Sequence, residues 1–273
     1  SIVIIFCVSG CTSDKTVLEH SEIVSGVVKS KIIDRDINIA VYLPEGYGNG
    51  EKYPVLYALH GAHGNEWDWF NRLDAKNCAD RLIRQNKIKP LIIVCTETLN
   101  NFILTSDISD KEKANKDLFG EYICKELVPY IDSHYATIKS NESRYIGGVS
   151  MGGFIAIQTA LHNPKLFGKA GGHSPASWIY DFSDSSFDSW LYSAETVNDS
   201  GDPVEFAQKK GLSDIKVFLD CGKDDYGFVD DTGKIHDALI KRGINSTCTI
   251  GEGGHSTDYW AANLEKYFEF YNK

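Results

Sequence analysis

The sequence lacks several features that would indicate other classes of protein. No internal repeat or low-complexity linker divides its 273 residues, so one domain with a substantial core is expected. The formal net charge of −10 argues against a nucleic-acid partner, which clustered lysine and arginine would bind. The cysteines show neither paired nor metal-ligand spacing, so no metal site is predicted. Cys95, Cys221 and Cys248 lie in apolar runs and are expected to be buried free thiols.

The amino-terminal segment has no initiator Met and no basic flank, although it begins with an apolar run. That run is too short to cross a bilayer, and the small residues Ser9 and Gly10 precede Cys11. The pattern predicts a truncated secretory signal with a lipobox, in a segment covering residues 1–21, and acylation of Cys11 as the only membrane anchor. An ordinary cleaved signal is the alternative, and both predict export to the cell surface or the medium.

Apolar strand-like segments alternate with helical segments over residues 22–273, the expected globular domain. Strands are predicted at residues 24–32, 36–43, 53–59, 91–96, 144–149, 169–173, 215–221 and 245–250. Helices are predicted at residues 76–86, 116–134, 151–162, 229–242 and 257–271. This rhythm predicts a mostly parallel sheet of about eight strands with helices on both faces and with the first strands antiparallel.

Ser150 lies in a Gly-x-Ser-x-Gly frame between an apolar strand and an apolar helix. A sharp turn from strand to helix forces the serine into a strained backbone and leaves room only for glycine beside it, at Gly148 and Gly152. Such a turn raises the hydroxyl above the edge of the sheet. The frame therefore predicts a nucleophilic serine, and a tight glycine turn with an idle serine is the alternative.

A serine nucleophile needs a base and an acid later in the chain. His255 lies in a glycine-rich loop between the last predicted strand and the last predicted helix, which makes it the candidate base. Three aspartates near the preceding strand could orient it. Asp225 is preferred, Asp224 and Asp220 are the alternatives, and the carboxylate would fix the tautomer of the imidazole.

Two backbone amides should stabilise the negative charge that develops on the substrate oxygen. One is that of Met151, at the start of the predicted helix after Ser150. The other is that of Ala62, in the turn after the third predicted strand. His60 and His63, in the same turn, are expected to brace it by side-chain hydrogen bonds rather than to act as the base.

Five short motifs together resemble the esterase D-like α/β-hydrolases, a group that includes feruloyl and acetylxylan esterases, S-formylglutathione hydrolases, siderophore esterases and mycolyl transferases. They are Val41-Tyr42-Leu43-Pro44, Tyr53-Pro54-Val55-Leu56-Tyr57 leading to His60-Gly61, Gly148-Val149-Ser150-Met151-Gly152-Gly153-Phe154, Cys221-Gly222-Lys223-Asp224-Asp225 and Gly253-Gly254-His255. The resemblance covers about residues 22–271 and implies an α/β-hydrolase fold and a Ser-His-Asp triad. In feruloyl esterases of this group the acid ends a Cys-Gly-x-x-Asp element, which corresponds to Asp225.

Residues 176–206, between the sixth and seventh predicted strands, differ in composition from the rest of the chain. They contain no lysine or arginine and are rich in acidic and aromatic residues. A lid-like insertion is predicted, in which Trp178 and Trp190, together with Trp67 near the oxyanion turn, would contact a sugar or phenolic group. Trp69 could line the same cleft or belong to the core. Packing of the insertion against the body of the domain is the alternative. Its aspartates lack the spacing of a calcium loop.

These observations predict an exported serine carboxylesterase that needs no cofactor and acts through an acyl-enzyme. Feruloyl or acetyl esters of plant cell-wall polysaccharide, or smaller esters, are the expected substrates. A siderophore esterase or an acyltransferase of the same fold is the alternative. The non-enzymatic alternative is a carbohydrate-binding module on an inactive hydrolase scaffold. The oligomeric state is left open.

Overall fold

The computed structural model describes residues 17–98, 118–176 and 212–273, and one sheet runs through all three ranges. Its eight strands are β1 (Glu22–Ser30), β2 (Arg35–Leu43), β3 (Val55–Leu59), β4 (Ile92–Thr96), β5 (Arg144–Val149), β6 (Lys169–His173), β7 (Lys216–Gly222) and β8 (Asn245–Gly251). They are ordered β1-β2-β4-β3-β5-β6-β7-β8. The pairs β1–β2 and β2–β4 are antiparallel, and every other pair is parallel.

Helices cover both faces of this sheet. They are α1 (Asp68–Asn71), α2 (Ala75–Arg84), α3 (Leu118–Tyr122), α4 (Val128–His134), α5 (Met151–His162), α6 (Phe228–Lys241) and α7 (Thr257–Asn272). A π-helical turn, Ile123–Leu127, joins α3 to α4, and short 3-10 turns occur at Asn141–Ser143 and Leu212–Asp214. Two apolar clusters form the core: α1, α2 and α7 pack on one face, and α3 to α6 pack on the other.

The central strands are almost entirely apolar, apart from Arg144 and Thr96 at strand ends, because both of their faces are covered. Every residue of β3, β4 and β5 is buried. Strands buried on two faces lose the alternation of polar and apolar residues that marks a half-exposed sheet. The carboxyl ends of these strands open at one edge, where ligands of open α/β sheets bind.

The predicted α/β-hydrolase fold is confirmed, with antiparallel first strands followed by a parallel sheet. The predicted insertion lies outside the described residues apart from Ala176, as does most of the amino-terminal segment with Cys11. Among the free thiols of the described ranges, Cys95 and Cys221 are buried as expected, whereas Cys248 is half-buried because it lies on the edge strand β8. No helix in the described ranges has the length and apolar character of a membrane span.

Candidate active site

Ser150 stands at the turn between strand β5 and helix α5. Its φ is 55°, in a region that residues other than glycine rarely adopt. The Ser150 amide donates a hydrogen bond to the carbonyl of His173 at 2.8 Å, which holds the turn against strand β6. The hydroxyl therefore projects from a strained backbone that the neighbouring strand keeps in place.

Glycine is required at positions 148 and 152 because backbone segments approach each other closely there. A Cβ atom added to Gly148 would lie 2.3 Å from the carbonyl carbon of Gly152, and one added to Gly152 would lie 2.5 Å from the carbonyl oxygen of His60. Any side chain at either position would push the turn apart. The Gly-x-Ser-x-Gly frame thus has a steric cause in this fold.

Ser150, His255 and Asp225 form one hydrogen-bonded series. His255 Nε2 lies 2.8 Å from Ser150 Oγ, and His255 Nδ1 lies 2.9 Å from Asp225 Oδ2. The Asp225 side chain is only 1% exposed, whereas that of His255 is 30% exposed. A carboxylate accepts hydrogen bonds, so the proton of the neutral imidazole belongs on Nδ1, and Nε2 is left to accept the serine proton.

The three aspartates considered from the sequence lie in different places. Asp225 is buried and is hydrogen-bonded to His255. Asp224 is exposed, and its amide donates to the Gly253 carbonyl. Asp220 is buried within strand β7 and binds another histidine, His173, with 2.6 Å between Oδ1 and Nδ1. The structure therefore places Asp225, and neither alternative, against His255.

Two aromatic rings enclose the His255 imidazole. The ring centroid of Phe228 lies 4.2 Å from that of His255 at a tilt of 32°, and Trp260 lies 5.0 Å away and nearly perpendicular. Neither ring competes for the imidazole nitrogens, and the Trp260 indole N–H donates instead to Ser174 Oγ at 3.3 Å. The two rings limit rotation of the imidazole away from Ser150.

A buried thiol adds a second donor to Asp225. Cys221 Sγ lies 3.4 Å from Asp225 Oδ2. Burial, and then the charge of Asp225, raises the pKa of the Cys221 thiol to about 12, so the group stays protonated and donates. Asp225 therefore accepts hydrogen bonds from both an imidazole and a thiol.

The turn after strand β3 lies directly beside Ser150, since a Cβ atom on Gly61 would be 3.3 Å from Ser150 Cβ. His60 is buried behind this turn, with Nδ1 2.6 Å from the Gly61 carbonyl oxygen, and the Thr98 amide donates to Nε2 at 2.8 Å. Because Nε2 accepts, Nδ1 carries the proton and donates to Gly61. Burial lowers the pKa of His60, which favours this neutral form.

The Gly61 carbonyl and the Ala62 N–H belong to the same planar peptide group. The hydrogen bond from His60 therefore fixes the direction of the Ala62 N–H. Met151 is the first residue of helix α5, where backbone N–H groups have no partner within the helix. His60 has the bracing contacts predicted from the sequence, while His63 stands in the same turn with φ of 62°.

A cleft of about 450 Å³ opens beside Ser150 and His255. This volume is within the range of small-molecule sites, roughly 300–1,000 Å³. Trp69, Leu73 and Trp260 are the largest apolar residues in its lining. Trp69 was considered from the sequence both as a lining residue and as a core residue, and it is both. Leu73 and Trp260 were not predicted, because each also belongs to the apolar core, from which a sequence pattern does not distinguish a cleft wall.

A polar rim borders the same cleft. The guanidinium of Arg72 donates to Thr257 Oγ1 at 2.9 Å and to Asp68 Oδ2 at 3.2 Å, so it joins helix α7 to helix α1 across the rim. The arginine side chain is 56% exposed and can still contact a ligand. In the described ranges, no group of three or more histidine, cysteine, aspartate or glutamate side chains could hold a metal ion.

One of the three tryptophans predicted to contact substrate lies in the described ranges. Trp67 is half-buried, packs beside the core and is not among the residues that line the cleft. Trp69 lines the cleft instead, and its indole N–H donates to the Leu59 carbonyl at 3.0 Å. Trp178 and Trp190 lie outside the described residues.

The fold and the position of Ser150 at the carboxyl ends of the parallel strands define a serine hydrolase of the α/β-hydrolase class. A family model described as "Putative esterase" matches residues 30–271, and the chain belongs to this esterase family. It is therefore an enzyme that acts on carboxylic ester bonds.

The chain is similar to two curated relatives and to one solved structure, among others. An acetyl esterase of Caldicellulosiruptor saccharolyticus is 25% identical over 269 residues, which cover 89% of this chain and 96% of the relative. An endo-1,4-beta-xylanase/feruloyl esterase of Xylanibacter ruminicola is 30% identical over 232 residues, 83% of this chain but only 28% of that longer protein. The structure of a ferulic acid esterase matches with a TM-score of 0.75 at 24% identity, over 93% of this chain and 98% of the other.

Proposed function

We propose that this carboxylesterase is exported and removes feruloyl or acetyl groups from plant cell-wall polysaccharide through an acyl-enzyme formed on Ser150. The observation that carries the mechanism is the hydrogen-bonded series of Asp225, His255 and Ser150, with distances of 2.9 and 2.8 Å. It connects a buried carboxylate, an imidazole and a hydroxyl in the order that acyl transfer requires.

In the first half of the reaction, His255 Nε2 takes the proton of the Ser150 hydroxyl while Oγ attacks the ester carbonyl. The resulting tetrahedral intermediate collapses when the bond to the alcohol breaks, and His255 returns its proton to the leaving oxygen. Water then attacks the carbonyl of the acyl-enzyme while His255 takes its proton. The bond to Ser150 Oγ breaks, His255 returns the proton to Oγ, and the carboxylic acid is released. Asp225 stays ionised throughout and stabilises the imidazolium formed at each step.

The amides of Met151 and Ala62 are the proposed donors to the oxyanion. Support comes from the position of Met151 at the start of helix α5 and from the contact of the Gly61 turn with Ser150. Each donor of this kind contributes about 10²- to 10³-fold in rate. His60 supports the second donor by fixing the peptide that contains it.

The substrate class is supported by the relatives and by the cleft lining. The acetyl esterase and the xylanase/feruloyl esterase relatives are named for the two proposed acyl groups. Trp69 and Trp260 provide flat apolar surface in the cleft, which suits a phenolic ring or a sugar face. Trp178 and Trp190, outside the described residues, remain proposed contacts on the basis of the sequence.

Export rests on the sequence pattern around Cys11. Small residues before this cysteine, after an apolar run, match a lipobox. If Cys11 is acylated in a bacterial host, the chain should partition into the detergent phase of a Triton X-114 extract. Cys11→Ala should move the esterase to the aqueous phase, and equal partitioning of both forms would contradict the anchor.

Replacement of the nucleophile is the decisive test of the mechanism. Ser150→Ala should lower kcat for p-nitrophenyl acetate by up to about 10⁶-fold, because no acyl-enzyme can form. A fluorophosphonate probe should label the wild-type protein at Ser150 and leave the variant unlabelled. Circular dichroism and thermal unfolding should match for the two proteins. Activity near the wild-type value in Ser150→Ala would overturn the assignment.

The acyl group is tested by comparing kcat/KM for methyl ferulate, acetylated xylan and short acyl esters. A preference of at least about tenfold for one of the first two is expected. Such a preference corresponds to about 1.4 kcal/mol of differential binding in the transition state. Products are analysed in the presence of excess sugar. Transfer of the acyl group to sugar in preference to water would identify an acyltransferase and overturn the hydrolytic assignment.

A further inference from the structure

A second aspartate–histidine pair lies buried behind the site and takes no part in the proposed chemistry. His173 ends strand β6, and Asp220 is its register neighbour on strand β7. The two side chains are 0% and 2% exposed, and 2.6 Å separates Nδ1 from Oδ1. We call Asp220 and His173 the buried pair, and Asp225 and His255 the cleft pair.

Three tyrosines from one face of helix α7 complete the polar contacts of the buried pair. The hydroxyls of Tyr259 and Tyr267 lie 2.9 and 2.8 Å from Asp220 Oδ2, and that of Tyr271 lies 3.1 Å from His173 Nε2. Burial, and then the charge of Asp220, raises the pKa of all three phenols, so they remain donors. With the imidazole proton on Nδ1, each polar side-chain atom of the buried pair has a partner.

The network holds helix α7 in one position, because burying the Asp220 carboxylate is favourable only when all of its donors are in place. A buried carboxylate loses its hydration and is stable only when several donors replace it, here one imidazole and two phenols. The ring of Tyr267 also stacks on His173, with centroids 3.5 Å apart and planes 16° apart. Sliding or rotating the helix would separate several donors from one buried charge.

Tyr259 connects this network to the loop that carries His255. It is the third residue of α7, and its ring packs against Gly251, the last residue of strand β8, and against Gly253 in the loop. A Cβ atom on Gly251 would lie 3.3 Å from the Tyr259 ring, and one on Gly253 would lie 3.2 Å from it. The ring therefore packs against the loop while its hydroxyl donates a hydrogen bond to Asp220.

The start of the same helix also fixes the chain immediately after the base. The side chain of Ser256 caps α7 by accepting the Tyr259 amide at 3.2 Å. His255 precedes this cap by one residue. A displacement of Tyr259 would thus move both the loop before His255 and the helix start after it. Ser150 is held by a backbone hydrogen bond to the His173 carbonyl on strand β6, which involves no atom of helix α7.

We propose that Asp220 and Tyr259 are positioning residues for the base: Asp220 holds the Tyr259 ring beneath the loop and thereby sets His255 at hydrogen-bonding distance from Ser150. The proposal rests on the proposed mechanism, because it concerns the residue that takes the serine proton. Its readout is a larger change in kcat than in KM, because proton transfer from Ser150 is more sensitive to a small shift of the imidazole than the contact of a small ester with the cleft.

Tyr259→Phe tests this route while keeping the ring under the loop. It should lower kcat for p-nitrophenyl acetate by about tenfold, with KM within twofold, and slow fluorophosphonate labelling of Ser150 by a similar factor, because a small displacement of the imidazole weakens proton transfer from Ser150. Tyr42→Phe is the matched control. Tyr42 is also buried and donates to a carboxylate, Asp80, at 2.6 Å, but it lies on strand β2 away from the site.

The control should lose a comparable amount of thermal stability and keep kcat within twofold. Tyr271→Phe is a second comparison, because its hydroxyl contacts His173 and not Asp220, and it too should keep kcat within twofold. Equal kcat in Tyr259→Phe and Tyr42→Phe would overturn the proposal, and so would an equal loss in Tyr271→Phe. Retained activity in Ser150→Ala would instead overturn the proposed mechanism, so the two failures are distinguishable.

Discussion

The cleft pair and the buried pair use the same two side-chain types in opposite environments. Both aspartates come from strand β7 or the loop just after it, and both bind a histidine Nδ1 at 2.6–2.9 Å. The imidazole of the cleft pair is 30% exposed and reaches a serine, whereas that of the buried pair is fully enclosed and reaches a tyrosine. In the proposed mechanism the cleft pair can serve Ser150 because its second imidazole nitrogen faces that hydroxyl and a cleft, whereas the second nitrogen of the buried pair faces a tyrosine.

The number of donors to each carboxylate also differs. Asp220 accepts from an imidazole and two phenols, which leaves it fixed on several sides. Asp225 accepts from His255 and from the weaker Cys221 thiol. In the proposed mechanism the imidazole of the cleft pair gains and loses a proton in every cycle. The buried pair has no such cycle; it joins strands β6 and β7 to helix α7, and in our proposal it positions the loop that carries His255.

The largest difference between the pairs should appear in activity when each aspartate is changed to asparagine. Asp225→Asn should lower kcat by about 10⁴-fold, because the amide no longer favours the required tautomer. Asp224→Asn, at the exposed neighbouring position, is the control and should stay within threefold of wild type. The measurement is kcat with p-nitrophenyl acetate. A larger loss in Asp224→Asn than in Asp225→Asn would break the assignment of the cleft pair.

The corresponding change in the buried pair should appear mainly in stability. Asp220→Asn should lower the free energy of unfolding by about 1–3 kcal/mol, since the new amide group faces phenols that previously donated to the carboxylate. Urea unfolding at neutral pH measures this, and kcat should fall by far less than in Asp225→Asn. Unchanged stability together with a 10⁴-fold loss of kcat would show that the two pairs do not divide their roles in this way.

Alkaline pH should destabilise the fold through the buried pair, because, of the two pairs, it is the one whose side chains are hydrogen-bonded to phenols with raised pKa values. Tyr267 keeps its proton in the folded chain above its usual pKa near 10, whereas the unfolded chain loses it. The folded state then binds more protons, so its stability falls as pH rises above about 10. Tyr267→Phe should lessen this slope by up to about 1.4 kcal/mol per pH unit.

The alkaline experiment uses urea unfolding between about pH 9 and pH 11, near the usual tyrosine pKa. Tyr226→Phe, at a site that is 85% exposed and outside the network, is the control. It should leave the slope as in wild type. The same slope in Tyr267→Phe and wild type would contradict the protonated, buried state of this phenol.

The smallest expected effect concerns the thiol beside Asp225. Cys221→Ala should lower kcat about fivefold, because one weak hydrogen bond to the carboxylate, worth roughly 1 kcal/mol, is lost. Cys221→Ser restores a donor and should recover most of the activity, which separates a hydrogen-bonding role from a packing role. If the alanine and serine variants behave alike, the thiol does not help to orient Asp225, and the cleft pair depends on the imidazole contact alone.

The sequence predicted the parts of this arrangement that depend on local backbone geometry. The glycines around Ser150 are required by close backbone contacts, so the turn is visible in a short pattern. The late glycine-rich loop likewise indicated His255. Asp225 and Asp224 could not be separated with certainty from residues alone, because burial of one and exposure of the other depend on how the loop folds back on Gly253.

The buried pair could not be predicted from the sequence. His173 and Asp220 are 47 residues apart and meet only through the register of β6 and β7. The tyrosines of α7 form a stripe at helical spacing, which indicates a core face and gives no sign of a shared carboxylate. The same limit applies to Trp67 and Trp69, since a spacing of two residues gives no basis for choosing which indole lines the cleft.

The peptide between Gly61 and Ala62 has a further consequence for redesign of this esterase. One end of it is held by His60, which is oriented in turn by the Thr98 amide, two residues after strand β4, and the other end is the proposed oxyanion donor. The direction of the Ala62 N–H is thus set by residues that lie behind the cleft wall. Substitutions around Thr98 offer a means of adjusting the rate of the chemical step while the surface that the substrate touches, and so its selectivity, is kept.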